Sequence, residues 1–294
     1  MKKLIMLISP ILLFPLVSAE ECGLLNLASC IPEKLFDFVI NILNSPIQPL
    51  LDLVKSLLTE PVQLDMFAPI WAIILYVLSL FYGILLLYSG FNFMVSGYDS
   101  EKRTKAKEWF RNIVIMIVLV QASYFLYASV VDVGSLLTAG VINLVDEQFF
   151  LLTADNIINL GLQFFFALTY VLVLLLTVLF LTFRYIIIAV GVVFVPIGIF
   201  LYFIPPLNNY GRLILNFLGV CIFVTFFDSL IFLICSELLS ISLFENFKIL
   251  LMIASFMIAN FIMFYFMFFS AIKSAFKTGG KVAATTASVA KYFA

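Results

Sequence analysis

The sequence predicts an all-α, polytopic transmembrane bundle with about five net crossings. Of the 294 residues, 64% are hydrophobic and only 11% are charged, against roughly 45–50% and about 25% in soluble domains. The apolar residues gather into six segments of about twenty residues, the length that matches the ~30 Å hydrocarbon core as a helix. The strict alternation of barrel strands is missing, and helices satisfy their backbone groups internally, so the pattern predicts helices.

Residues 1–19 have the pattern of a secretory signal peptide. A basic start is followed by a short apolar stretch and a small-residue cleavage site at Val17-Ser18-Ala19. An uncleaved first transmembrane helix is the alternative, but Pro10 and Pro15 suit a signal better. Cleavage after Ala19 would leave the mature N-terminus outside the cytoplasm, in a multi-pass protein of the cell membrane.

Residues 20–66 are predicted to form an extracytoplasmic amphipathic segment. Cys22 and Cys30 lie close together on the oxidising side of the membrane, which favours a disulfide between them. Apolar residues recur at helical spacing near residues 35–43 and again over 50–58. We expect short helices that lie on the outer membrane surface or pack against partner subunits.

Residues 67–135 are predicted to form a transmembrane hairpin with a basic cytoplasmic turn. The first span covers Ile70–Val95, and the second, Ile113–Val131, continues from a helix that Asp99 or Ser100 caps. The basic residues of the turn set topology or bind anionic lipid headgroups, and nucleic acid is the alternative partner. They are Lys102, Arg103, Lys105, Lys107 and Arg111.

The remaining segments are placed by charge, because basic residues stay on the cytoplasmic side. Residues 136–160 carry acids but no basic residue, which indicates an external segment. Residues 161–272 form a bundle that opens with a segment, 161–204, that is either one long or broken span or two spans. One net crossing keeps the basic tail, 273–294, in the cytoplasm. The predicted helix breaks are Pro196, Pro205 and Pro206.

A few polar residues fall within or near the spans. Charges inside a bilayer cost about 2.5–3.5 kcal/mol on insertion scales and persist when they are paired, hydrated or able to reach the interface. Arg184 and Asp228 therefore either pair across the bundle or line a polar path, or else Arg184 reaches an interface and Asp228 lies near the outer headgroups. The amides more often bond to neighbouring helices than to a substrate. The candidate intramembrane residues are Arg184, Asp228, Gln121, Asn216 and Asn260.

The sequence contains no catalytic pattern. Histidine is absent, and no phosphate-binding loop, CxxC or HExxH motif occurs. Cys221 and Cys235 lie in an apolar helix, where they act as small hydrophobic residues rather than as ligands. We therefore expect no enzyme activity, no cofactor and no metal site.

Two stretches resemble a known family. Residues 83–120, with Gly90–Gly97, Asp99–Arg103 and Ala106–Trp109, resemble the two-helix hairpin of conjugative pilins. Residues 183–217, with Arg184-Tyr185, Val195-Pro196 and Ile204-Pro205-Pro206, are similar to the central segment of TrbL-like proteins. Those proteins are polytopic inner-membrane subunits of type IV secretion and conjugation systems, including archaeal DNA-exchange machineries.

The resemblance implies a channel or scaffold subunit of a type IV secretion-like apparatus that transfers DNA or protein. It also implies an external N-terminus, about five spans and a cytoplasmic C-terminus. The expected partners are membrane lipid, further copies of the chain, a secretion ATPase, pilin-like subunits and, transiently, the DNA or protein cargo. The alternatives are a small-solute transporter, which often shows inverted repeats absent here, and a membrane assembly factor.

Overall fold

The computed structural model describes residues 45–151, 160–241, 244 and 247–269, and all regular structure in these ranges is helical. The predicted signal peptide, the Cys22 and Cys30 disulfide and the basic tail lie outside the described residues. The helices are α1 (45–59), α2 (Ala68–Val95), α3 (Ser100–Gln121), α4 (Ser123–Ile142), α5 (Leu160–Phe203), α6 (Asn208–Leu238) and α7 (Lys248–Phe264).

Five helical stretches in the described part of the chain are long and apolar enough to cross a membrane. They confirm the predicted all-α polytopic class, and they are Asp65–Val95, Ser123–Ile142, Phe165–Phe203, Pro205–Leu238 and Lys248–Phe268. The surfaces of these helices carry many exposed aromatic and aliphatic side chains. Such surfaces suit lipid or a partner protein better than water.

Helix α1 packs against the chain's own bundle, a contact that the sequence did not reveal. Ile47, Val54 and Leu58 are buried in the same apolar core as the long helices. The apolar face that predicted binding to a membrane surface is instead buried against the chain's own bundle, because the helical spacing is the same in both cases. Pro46 lies in the first turn of α1 as the structure describes it, where a missing N–H costs no helical bond.

The α2–α3 hairpin forms as expected. Asp99 caps α3, accepting a hydrogen bond from the Glu101 amide at 2.9 Å. Lys105 Nζ contacts the Glu101 carboxylate at 2.6 Å, the predicted pairing of residues four apart. The cap and the ion pair fix the start of the basic helix directly after the turn.

Helices α3 and α4 form one nearly continuous helical stretch, interrupted only at Ala122. By length and composition, the second candidate spanning stretch is Ser123–Ile142, which overlaps the predicted span Ile113–Val131 over residues 123–131. Asp132 lies inside α4 with an exposed side chain. The predicted external segment 136–160 accordingly begins with helix, up to Ile142.

Segment 161–204 is one α-helix, and the predicted break at Pro196 is wrong. Helix α5 has 44 residues and contains Pro196. A proline removes one backbone hydrogen bond and crowds the carbonyl four residues earlier, and neighbouring helices in an apolar bundle offset that loss. Its length of about 66 Å exceeds the ~30 Å hydrocarbon core, so α5 either tilts or extends beyond that layer.

Pro205 and Pro206 do end the helix, as predicted. They lie in a single 3-10 turn, Pro205–Leu207, that reverses the chain from α5 into α6. The two helices meet closely at Gly211, where a Cβ atom would fall 2.6 Å from the Gly198 carbonyl oxygen and against the Tyr202 backbone. Glycine is therefore required for this approach.

The core consists of two apolar clusters, one at each end of the long helices. The smaller cluster joins α2, α3 and the last turns of α5, through residues such as Tyr82, Met116 and Phe200. The larger cluster joins α1, α4, α6, α7 and the rest of α5. At the junction, Trp71 donates a hydrogen bond from Nε1 to Ser123 Oγ at 2.9 Å.

Candidate functional site

Arg184 lies inside the larger cluster and holds three helices together. Its side chain is buried, and Nε donates to the Cys221 carbonyl at 2.9 Å while Nη2 donates to the Ile222 carbonyl at 3.1 Å. Nη1 reaches the Leu57 carbonyl of α1 at 3.5 Å. Arg184 therefore links α5 to α6 and to the end of α1.

The position of each residue in its helix explains why the carbonyls of Leu57, Cys221 and Ile222 can accept hydrogen bonds from Arg184. Leu57 belongs to the last turn of α1, where carbonyls lack a helical partner and carry the negative end of the helix dipole. Cys221 and Ile222 lie in the middle of α6, and their oxygens use a second lone pair. The guanidinium suits this arrangement because its five N–H groups form a planar fork.

Asp228 is the second charged side chain buried among the described residues. It lies on α6, 1% exposed, and neither carboxylate oxygen has a hydrogen-bond partner within the described part of the chain. Asp228 and Arg184 form no direct ion pair within 4.0 Å in the described part of the chain, although each charge acts on the other through the interior of the bundle. A buried carboxylate without donors is costly, and such groups often mark function.

Three buried side chains with hydroxyl groups lie on α4 and α6, the helices that pack on one another beside the two charges. Thr138 Oγ1 and Thr225 Oγ1 lie 3.3 Å apart, both buried. Tyr127 donates from its hydroxyl to the Ile188 carbonyl at 2.7 Å. We name Tyr127, Thr138, Arg184, Thr225 and Asp228 the buried polar cluster.

Of the three predicted amide residues, only Asn260 is buried. Its Nδ2 donates to the Val173 carbonyl of α5 at 3.3 Å, while Oδ1 has no partner among the described residues. Gln121 and Asn216 are exposed on the surface of the bundle, and their expected contacts with neighbouring helices stay a prediction. A polar residue inside an apolar stretch indicates depth along a helix but not the face on which it lies.

The five basic residues of the predicted cytoplasmic turn are all exposed on α3. Lys102 Nζ lies 3.8 Å from the Asp99 carboxylate, and the Arg103 guanidinium lies 5.9 Å from the centre of the Phe93 ring. They are far from the buried polar cluster in the fold, because they belong to the end of the bundle that holds the smaller core cluster. The turn and the cluster are separate candidate sites.

Sequence reasoning missed four parts of the site: the Leu57 carbonyl, Tyr127, Thr138 and Thr225. The Leu57 carbonyl has no side-chain signal, and Tyr127 resembled an ordinary aromatic residue of a span. Gly191 is a signal in the sequence that could have pointed to Tyr127. A Cβ atom at position 191 would collide with the Tyr127 ring, and glycine is favoured where helices pack closely in membranes.

The described residues contain no group of three or more cysteine, aspartate or glutamate side chains able to hold a metal ion. No protein-family model, no curated protein and no solved structure matches the chain. The functional argument therefore depends on the chain's own residues.

Proposed function

We propose that the chain is a scaffold or channel subunit of a type IV secretion-like apparatus, embedded in the cell membrane and working as an oligomer. Two features support the proposal: the resemblance of residues 83–120 and 183–217 to subunits of such systems, and the five spanning helices. Its N-terminus would lie outside and its C-terminus in the cytoplasm. No nucleotide-binding motif occurs in the sequence, so the ATPase would be a partner.

The observation that carries the proposal is the uncovered surface of α2. Only 11% of its most apolar window is buried, whereas the other four spans bury 33–44%. Exposed apolar side chains, among them Leu87 and Met94, surround this helix. The same helix belongs to the hairpin that resembles pilins, and a pilin-like helix would pack on α2 much as pilins pack on one another.

The interior of the bundle favours a scaffold over a channel formed by one copy. Arg184, Asp228 and Thr225 are at most 4% exposed, so these polar groups pack against helices and line no open passage among the described residues. A path for cargo would run between copies of the chain or between the chain and its partners.

Site-specific photocrosslinking tests the proposal. A photoreactive residue replaces Leu87 or Met94 on α2 in cells that carry the whole apparatus. Phe261 on α7 is the matched control, because its side chain is equally exposed at 70%. We expect products with a small two-helix subunit from α2 positions and none from the control. Adducts with lipid alone from all three positions would contradict the proposal.

One observation favours the second candidate, a small-solute transporter. Asp228 is a buried carboxylate without a donor, a common feature of substrate or ion pathways. A gene for the chain beside genes for metabolic enzymes, rather than beside a secretion ATPase and a pilin, would favour transport. Counterflow of a solute in vesicles that contain only this protein would establish it.

A further inference from the structure

A cleft of about 690 Å³ lies between the α2–α3 hairpin and the proline turn that joins α5 to α6. The residues that form it belong to three parts of the chain distant in sequence. Pro205 and Pro206 form one wall, Leu85 and Val95 of α2 another, and the start of α3 the third. None of these residues belongs to the buried polar cluster.

One wall of the cleft is cationic. Lys102 and Lys105 line it, and both side chains are more than 70% exposed. Each ammonium contacts one carboxylate, Asp99 at 3.8 Å or Glu101 at 2.6 Å. An ammonium has three N–H donors, so both lysines keep donors for an anion in the cleft.

Trp109 adds a donor that needs an acceptor. It lines the cleft, and its indole Nε1 is buried with no hydrogen-bond partner among the described residues. Buried N–H groups are nearly always paired with protein, water or a ligand. The ring also meets Tyr88 edge to face, with 6.5 Å between ring centres, which holds it between α2 and α3.

The opposite walls are apolar. Leu85, Val95 and Ile204 contribute aliphatic side chains, and they lie where an apolar span gives way to a basic helix. A phosphate at the lysines and an acyl chain along α2 would satisfy both surfaces together. A free phosphate ion would leave the apolar walls exposed to water, which costs free energy.

We propose that this cleft binds one anionic phospholipid, with its phosphate at Lys102 and Lys105, beside the Trp109 ring, and an acyl chain along Leu85. A lysine near an anionic lipid surface raises affinity about fivefold. Because both lysines also contact carboxylates, the expected preference for an anionic over a zwitterionic lipid is about tenfold. The bound lipid would brace the hairpin against the proline turn.

Fluorescence quenching by brominated lipid tests the proposal, since the chain has only two tryptophans. In the full chain with Trp71→Phe, Trp109 is the single reporter. We expect dibrominated phosphatidylglycerol to quench it about tenfold more effectively than dibrominated phosphatidylcholine. Lys102→Gln with Lys105→Gln should abolish the preference. Lys107→Gln with Arg111→Gln should keep it, because that pair removes the same charge from the same helix outside the cleft.

The other outcomes overturn the proposal. Equal quenching by the two lipids shows no selectivity for the headgroup at Trp109, and equal loss of preference in both double variants shows only general attraction of a basic helix to anionic lipid. A shift of Trp109 emission by inorganic phosphate, without lipid selectivity, identifies a site for a soluble anion. Native mass spectrometry of the unsubstituted chain guards against damage from Trp71→Phe. The unsubstituted chain should retain phosphatidylglycerol, and the double variant Lys102→Gln with Lys105→Gln should lose it. Equal retention of the lipid by the two proteins would also refute the site.

Discussion

Replacing Asp228 by leucine should stabilise the isolated protein. The carboxylate is 1% exposed and has no hydrogen-bond donor within the described part of the chain. An aspartate at the centre of an apolar helix costs about 2.5–3.5 kcal/mol on insertion scales, and leucine contributes about −0.5 kcal/mol. Part of this gain is lost to repacking, because leucine is larger than aspartate, and part to the lost attraction between Asp228 and the buried Arg184 charge. We therefore expect Asp228→Leu to raise the free energy of unfolding by about 2 kcal/mol.

The assay is unfolding of the purified protein by SDS in mixed micelles, followed by circular dichroism. Glu237→Leu is the matched control, because it replaces an exposed acid at the end of the same helix and should change the free energy of unfolding by less than about 0.5 kcal/mol. Asp228→Asn should also stabilise, since it removes the charge at nearly constant shape. A loss of more than about 1 kcal/mol in Asp228→Leu would show that the carboxylate has an attractive partner and would refute this reasoning.

The same variant separates function from stability. If Asp228 serves transfer or transport, Asp228→Leu will lose activity in cells while its membrane level stays normal. A stabilised and fully active variant would remove Asp228 from the functional site. This comparison matters because a costly buried charge is retained either by chance or for function.

Two further substitutions test the packing of the long helices. Arg184→Lys should lower the free energy of unfolding by about 2–3 kcal/mol, because one ammonium cannot reproduce the planar guanidinium fork that reaches two helices. Unfolding by SDS measures this change, and an unchanged value would contradict the junction of three helices at Arg184. Gly211→Ala should cost about 1–3 kcal/mol in the same assay, because its Cβ atom meets backbone of α5. Gly219→Ala is its control, since open space surrounds that position, and equal effects of the two alanines would contradict the close approach.

The sequence predicted the helices well, because their signals are local. Long apolar runs predicted the spanning helices, Asp99 predicted the N-terminal cap of α3, and Pro205-Pro206 predicted the turn between α5 and α6. Pro196 shows where local signals fail. A proline breaks a helix that stands alone in water, but its missing hydrogen bond is tolerated when surrounding helices leave no alternative for the chain.

The candidate site was predicted only in part, because burial depends on the face of a helix as well as on depth. Arg184, Asp228 and Asn260 face the core, whereas Gln121 and Asn216 face outward. Nothing in the sequence distinguishes these two groups. The contact of Arg184 with α1 could not be predicted from the sequence either. Its acceptor is a backbone carbonyl, and the amphipathic pattern of α1 fits a membrane surface equally well.

The direction of the chain across the membrane is the central claim, and cysteine labelling tests it most directly. In cells, a membrane-impermeant maleimide is applied to single-cysteine variants at Thr104, beside the basic turn, at Ser240, after α6, and at Ser288 in the C-terminal tail. The account predicts external labelling at Ser240 only, with Thr104 and Ser288 labelled only after the membrane is opened. External labelling at Ser288 in intact cells, or of Thr104 and Ser240 from the same side, would contradict it.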